Sequence, residues 1–288
     1  MKQLRKTLSL LCVLAMALAC LSVPAPAEET AFAGGSGTEE DPWQIETVEQ
    51  LAYLASTVND GSKSGYMGAY FALTADLDMT GVDWTPIGNM ADMENYTTLF
   101  LGSFDGQGHT VSNLTYENDQ FIVGAGLFGI SVGEIKNVNI ENAVVHCTEA
   151  NSMAIGSLVG YSMGSVTGCS VTSADVLGNN CTGGLNGGDV GPVTNCSATN
   201  VTVTIIGDND FSEGLVQCDV AECGGLLIGG GFGGMIANCT AQGTVRAEGN
   251  EPVGMGGIGG CLEMMDSITN CTADVTIVSA RGGHAIGG

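Results

Sequence analysis

Three aspartates and one histidine are the first residues whose types and spacing could do chemistry. Asp76 and Asp78 in "ADLDM" are two residues apart, so on an extended strand their carboxylates share a face. Asp105 in "FDGQGH" stands beside His109 across a short turn. Hydrolysis of a glycosidic bond needs two carboxylates about 5–9 Å apart, one acting as acid and the other as base or nucleophile. These three are the best candidates for that work. The simpler reading is that they are solvated carboxylates at strand ends and turns, with "FDGQGHTV" a tight turn between two strands. A second set, Asp208, Asp210 and Glu213 in "GDNDFSEG", has the alternating oxygen ligands of half a calcium loop. It lacks the Gly and the distant Glu of a complete one, so a polar loop is the better description. The expectation is therefore no catalytic residue, no cofactor and no metal site.

Charge narrows the partners. The whole chain carries a formal net charge of −24, with 31 acids against 7 lysines and arginines. "MKQLRK", the apolar "TLSLLCVLAMALACL" and the small-residue exit "SVPAPAEE" form a secretory leader with cleavage expected after Ala27. Lipidation at Cys20 is the weaker alternative, because Ala17 and Leu18 are in the wrong order for a lipobox. Without residues 1–27 only Lys63, Lys136, Arg246 and Arg281 face the same 31 acids, a net charge near −27. Such a surface repels nucleic acid and anionic membrane. It also argues against a lyase of acidic sugars, which needs basic groups to abstract a proton and neutralise charge. The leader's apolar run is too short for a confident span, so no membrane span is expected in the mature chain.

The elements that would position these groups are written as a repeat. "TVSNLTYEN", "EIKNVNIENAVV", "SVTGCSVTSADV", "PVTNCSATNVTV", "MIANCTAQGTV" and "SITNCTADVTI" are variants of one phrase. Its corner residue falls at Asn113, Asn137, Gly168, Asn195, Asn238 and Asn270. A second phrase, "GAGLFG", "IGSLVG", "TGGLNG", "CGGLLIGG" and "MGGIGG", keeps step with it and places Leu127, Leu158, Leu185, Leu226 and Ile258 in series. A period near 30 residues marks a solenoid. The internal period is 2: Cys271, Ala273, Val275 and Ile277 alternate with Thr272, Asp274 and Thr276, as on a strand with one buried face. The 45 glycines, more than twice the usual share, read as bends between roughly three short strands per coil. Coils stacked about 4.8 Å apart would pair each strand with its copy in the next turn. The reading is all-β: a right-handed parallel β-helix of about six coils.

In such a stack the Asn residues would form an amide ladder inside the coil. The following residues, Leu114, Val138, Cys169, Cys196, Cys239 and Cys271, would line up as compact inward groups. Free Cys packs as a small hydrophobe, and four thiols on four coils do not make a tetrahedron. Cys181, Cys223 and Cys261 lie near the Gly-Gly phrases and could include one disulfide, whereas Cys147 and Cys218 fall in connections. Outward Thr240, Thr244, Thr272 and Thr276 resemble an ice-binding array, but coils of such uneven length do not give the flat face one needs. The stretch 207–222 should bulge from the stack as a loop.

The N-terminal part differs. A flexible linker is expected over 28–40, a strand and capping helix over 41–66, and the repeats over 67–288, the last incomplete. Thr47 is the expected N-cap, with Glu49 and Gln50 in the first turn, an apolar stripe at Val48, Leu51, Leu54, Ala55 and Val58, and Gly61 as the stop. A solenoid end exposes core and an unpaired edge, which such a helix would cover.

The Gly-Gly-Leu-x-Gly phrases, together with "GTEEDPWQIETVEQLAYLA" and "GSFDGQGHTVSNL", resemble secreted bacterial GLUG-motif repeat proteins of the gut-bacterial surface type, over roughly residues 35–288. The resemblance implies a parallel β-helix and a surface address. Such repeats also occur beside immunoglobulin A metallopeptidases, but none of His109, His146 and His284 begins the His-Glu-x-x-His zinc motif. The expected function is a non-enzymatic secreted or cell-surface module for adhesion or ligand presentation, with a surface glycan or protein as ligand. The alternatives are a structural spacer of a longer surface protein and a polysaccharide-active β-helix enzyme.

Overall fold

The computed structural model describes residues 31–61, 66, 68–91, 97–207, 222–248, 254–279 and 286–287. The leader with Cys20 and Ala27, Lys63, the half calcium loop, Cys218, Arg281 and His284 lie outside the described residues.

The chain opens with a short strand, Trp43–Ile45, and one helix, α1, Val48–Asn59. Thr47 caps the helix, and its hydroxyl accepts from Gln50 N while the Gln50 side chain accepts from the Thr47 backbone. This reciprocal box satisfies donors the first turn leaves open. Leu51, Leu54 and Ala55 are buried as the stripe requires, joined by Thr57, whereas Val48 and Val58 are only half-buried. Gly61 follows at φ 63, in the left-handed region that ends a helix. Asn59 ties the helix to the first turn of the solenoid: its Nδ2 donates to Pro86 O at 2.9 Å and its Oδ1 accepts from Gly88 N at 2.8 Å. Phe32, Trp43, Tyr66 and Phe71 stack as tilted and edge-on rings beside it. The aromatic contacts continue inward through Phe100 to Phe128 and Phe104.

The rest is a parallel β-solenoid of about 7 turns. The turn beyond the expected six is built by residues 70–100, ahead of the first full repeat. Tyr70–Leu73 pairs with Trp43–Ile45 at the start of the first face, Leu77–Asp78 begins the second, and Ile87 and Phe100 bridge to Phe128 and Ser131. Each full turn contains more than three strands. In the turn that starts at Ile135, for example, they are Ile135–Lys136, Asn139–Glu141, Val144–Cys147, Met153–Ile155 and Val159–Ser162. The extra strands lie in the Gly-rich phrase, which reads as a bend in sequence. Met153–Ile155 and Val159–Ser162 belong to two sheets that fold against each other across it. Glycine lacks a side chain to betray its strand, but its backbone pairs like any other.

The close approach of those two sheets explains the glycines. A Cβ on Gly160 would stand 2.3 Å from Gly124 Cα, one on Gly187 2.2 Å from Ile155 N, and one on Gly229 2.4 Å from Thr182 N. Backbone meets backbone there, so only glycine fits.

Register corrects two columns. The corner column is Gly106, Asn137, Gly168, Asn195, Asn238 and Asn270, because Asp105, Lys136, Thr167, Thr194, Ala237 and Thr269 are paired just before it. Asn113 belongs to the next corner, with Asn142, Ser173 and Asn200, and Leu114 therefore stacks with Ala143, Ala174 and Val201. Both corners use left-handed residues, which is why their phrases look alike: Asn113, Asn142, Ser173 and Asn200 have φ of 59, 55, 58 and 55. Likewise Leu227, not Leu226, continues Leu127, Leu158 and Leu185, because Asn186 pairs with Ile228. The arch of "CGGLLIGG" has the same length as the one before it, with Leu226 standing where that coil has Gly184.

The inward column holds. Val138, Cys169, Cys196 and Cys239 are buried and in register, with Cys271 half-buried on the last described coil. The amide ladder runs outside the coil rather than inside: Asn137, Asn195, Asn238 and Asn270 are exposed. A left-handed corner turns its own side chain out and the next one in. Asn238 Nδ2 donates to Asn195 Oδ1 and Asn270 Nδ2 to Asn238 Oδ1, each at 3.1 Å.

Two variants test this packing by denaturant unfolding. Gly187→Val should cost at least ~3 kcal/mol, since the clash is with backbone, whereas exposed Thr272→Ala should stay within about 0.5 kcal/mol. Asn238→Ala loses two rungs and puts Ala in the left-handed region, which should cost ~1–2 kcal/mol. Asn238→Gly should lose less, because it keeps the conformation.

Candidate functional site

The acidic candidates gather at the first corners of the N-terminal coils. Asp76 and Asp78 are exposed and alternate with buried Leu77 and Met79, so they do share an outward face. Asp76 Oδ1 accepts from Thr110 N at 2.9 Å and lies 3.1 Å from His109 Nδ1. Asp78 Oδ1 accepts from Thr80 N and Oγ1 and from Asn113 Nδ2. Hydrogen bonds hold both carboxyls below their usual value, from Thr110 N and then His109 at Asp76, and from Asn113 and then Thr80 at Asp78.

Asp105 is not partnered with His109. Its Oδ1 accepts from Gln107 N at 2.8 Å and from Asn137 Nδ2 at 3.0 Å on the next coil. "FDGQGHTV" is not a hairpin turn. Ser103–Asp105 and Thr110–Ser112 lie on different faces of the coil, and the turn between them rounds a corner, closed by His109 N donating to Gly106 O. The geometry delivers carboxyl acceptors, each engaged by N–H or O–H donors, and one imidazole set against the Asp76 carboxyl.

Several polar groups escaped the sequence reading. His146 Nε2 approaches Asp175 Oδ2 at 3.3 Å on adjacent coils. Asp189 is only 2% exposed, and its Oδ1 accepts from Gly191 N at 2.8 Å while Oδ2 accepts from Asn186 Nδ2 at 3.1 Å. Burial nevertheless pushes its pKa up to about 8. It occupies the column of Ser131 and Ser162, whose hydroxyls donate to the carbonyls of Gly133 and Gly164. The recurring "SVG", "SMG" and "DVG" were the signal for it. Cys147 is free and buried, and burial raises its thiol to about 12. Among the described residues no three His, Cys, Asp or Glu side chains are grouped to hold a metal ion, and no helix is long and apolar enough to cross a membrane.

In-register coils, glycine-sealed arches and an outer Asn ladder define a parallel β-solenoid built from Gly-rich repeats. The repeat is the GLUG motif, whose family model matches residues 151–176 and 220–246. Halomucin of Haloquadratum walsbyi is 34% identical over 166 residues, which are 54% of this chain and 2% of that protein. A protein of Evansella cellulosilytica named as a Gly-rich membrane protein is 30% identical over 172 residues, 56% of this chain and 18% of that one. The chain thus corresponds to a small part of either relative's length. A Bacteroides ovatus crystal structure named for an immunoglobulin A1 protease superposes with a TM-score of 0.68 at 26% identity, over 86% of this chain and 70% of that one. The last two names give their descriptions as provisional.

Asp189 makes a pH prediction. An unfolded Asp ionises near 3.8 and the folded one near 8, so between those values the folded chain holds a proton the unfolded chain has released. Stability from this group is present below pH ~4 and declines by at most ~1.4 kcal/mol per pH unit until about pH 8. Asp189→Asn should flatten that decline and raise the melting midpoint at pH 7–8, which thermal unfolding across pH 4–9 would read.

Proposed function

We propose that this chain is a non-enzymatic β-solenoid module, secreted or displayed at the cell surface, that presents binding surface to a glycan or protein ligand. The observation that carries this reading is the state of the outward carboxylates. Asp76, Asp78 and Asp105 are each tied by donors from their own or the next coil. A hydrolase needs one carboxyl kept protonated as an acid, whereas hydrogen bonding favours the ionised form of Asp76 and Asp78. The in-register stack supplies a stiff support for loops, the usual carriers of recognition. The net charge of −24 favours a glycan or protein over nucleic acid. The membrane protein named among the relatives supports an address outside the cytoplasm.

A second reading, a structural spacer within a longer surface protein, is favoured by the relatives, of whose length this chain matches 2% and 18%.

A panel of surface glycans and mucin-type glycoproteins, assayed for both binding and turnover, separates the readings. The expected result is saturable binding without turnover, unchanged in Asp76→Asn, Asp78→Asn and Asp105→Asn and lost when 207–222 is replaced by a short Gly-Ser linker. Turnover abolished by one of the Asp→Asn changes would establish the enzyme instead. Neither binding nor turnover would leave the spacer.

A further inference from the structure

Where the Gly-rich arches close, two thiols face each other across successive coils. Thr182 pairs with Gly224 and Gly183 with Gly225, which sets Cys181 directly beside Cys223, 42 residues away in sequence. The Cys223 thiol donates to Cys181 Sγ at 3.5 Å. The space they fill is left by a missing side chain on the opposing strand: a Cβ on Gly230 would stand 2.8 Å from Cys181 Sγ and 3.3 Å from Cys223 Sγ. Cys261 is next after Gly230 in that opposing column, with its sulfur 3.9 Å from Glu263 Oε1. The core thiols also neighbour one another from coil to coil, but each is in addition directed at a carbonyl of its own corner. Cys169, Cys196, Cys239 and Cys271 approach the carbonyls of Thr167, Thr194, Ala237 and Thr269 at 3.2–3.5 Å, and the first three are buried.

We propose that Cys181 and Cys223 form an inter-coil disulfide, made by exchange with a small-molecule or protein disulfide, that clamps the solenoid across its longest interruption. Strand neighbours about 4.8 Å apart fall within the Cα spacing a disulfide accepts, and the sulfurs need to close only about 1.5 Å from their present contact to reach bonding distance. Cys181 is the entry point: it is half-buried while Cys223 is sealed, and the Cys223 S–H bond lowers its pKa. The Cys181 thiolate attacks one sulfur of the oxidant, forming a mixed disulfide and releasing one oxidant thiolate. Cys223 then yields its proton to that thiolate and attacks Cys181 Sγ, expelling the second. Two protein thiols become one disulfide, and one oxidant disulfide becomes two thiols, so two electrons and two protons are transferred. The clamp would add a covalent link between the coils on either side of the connection that contains 208–221, beside the strand pairing and the Asn195–Asn238 bond that already join them.

The full chain is equilibrated with oxidised glutathione, denatured, alkylated with iodoacetamide and mapped without reduction. The expected result is a peptide pair linked through Cys181 and Cys223, the loss of two alkylatable thiols and, before alkylation, a mass lower by about 2 Da than the reduced chain. Cys181→Ser and Cys223→Ser should each remove the linked pair, and Cys261→Ser should leave it. The identity of the linked peptides in the unaltered chain decides the matter even if a Ser variant folds poorly. Both cysteines remaining alkylatable, or a link from either to Cys218 or Cys261, overturns the proposal.

Discussion

In a parallel stack every side chain must coexist with the equivalent residue about 4.8 Å above and below it. That constraint decides what each column can hold. Apolar residues gain from the arrangement, so Ile135, Val166, Val193 and Ile236 recur behind Phe71 and Phe104. Amides and hydroxyls gain too, since each can donate upward and accept from below, as Asn195, Asn238 and Asn270 do, and as Thr167 does with Thr194 at 3.0 Å. Carboxylates lose, because stacked like charges repel. A chain with 31 acids and 7 bases should find this difficult. Among the described strand pairs, however, no acid is in register with another acid. Asp105 faces Lys136, Glu117 faces His146, Glu141 lies between Ser112 and Thr172, and Asp175 between Val144 and Thr202. Net negative charge is tolerated because it is dispersed between columns and not concentrated along them.

The same constraint made the architecture legible. A recurring Asn-Cys corner, a period of 2 within each phrase and a drift-free second phrase together imply a parallel stack, and the capping box at Thr47 and Gln50 was readable from local chemistry alone. Register was less legible. Asn113 and Asn137 sit at different corners yet share a left-handed backbone and an identical side chain, so the sequence phrase does not distinguish them. The short first interval, 24 residues from Asn113 to Asn137, was the trace of that mixture. The doubled leucine of "CGGLLIGG" hid a one-residue slip for the same reason: both leucines are fully buried, and only hydrogen bonding tells them apart. The strands within the Gly phrases were invisible because their defining contact is backbone against backbone, which leaves no pattern of side chains to read.

The side chains around the acidic corner illustrate a different limit. Sequence placed Asp76 and Asp78 on one face, and the coordinates agree. It assigned His109 to Asp105, four residues back, whereas the imidazole meets Asp76, 33 residues away. Chain neighbours at a solenoid corner point along the coil, and neighbours across coils point at each other. The interacting partner of an outward polar residue is therefore one turn away. The same rule gives Asn137 to Asp105, Asn113 to Asp78 and Asp175 to His146.

Departures from column identity are then the places to look for something other than stacking. At most levels the two arch-forming sheets interlock through small or apolar groups, but on one stretch of coil the series Phe128, Val159 gives way to Asn186, and Ser131, Ser162 to Asp189, before returning to Ile228 and Gly231. On the opposing strand of that coil Ala154 is followed by Cys181 and Cys223. A buried carboxyl, a buried amide and one thiol thus occur together on the coil before the connection where the repeat is longest, and the second thiol opens the coil after it. A long connection weakens the coupling between the coils it separates, since its closure entropy must be offset by the strand pairing on either side. The Asp189 bonds close their own coil, and the Cys223–Cys181 contact adds an inter-coil attachment that the apolar columns do not provide. The irregular coil reads as reinforcement of the stack where the chain leaves it, which is a structural reason for sequence variation in a fold whose default is repetition.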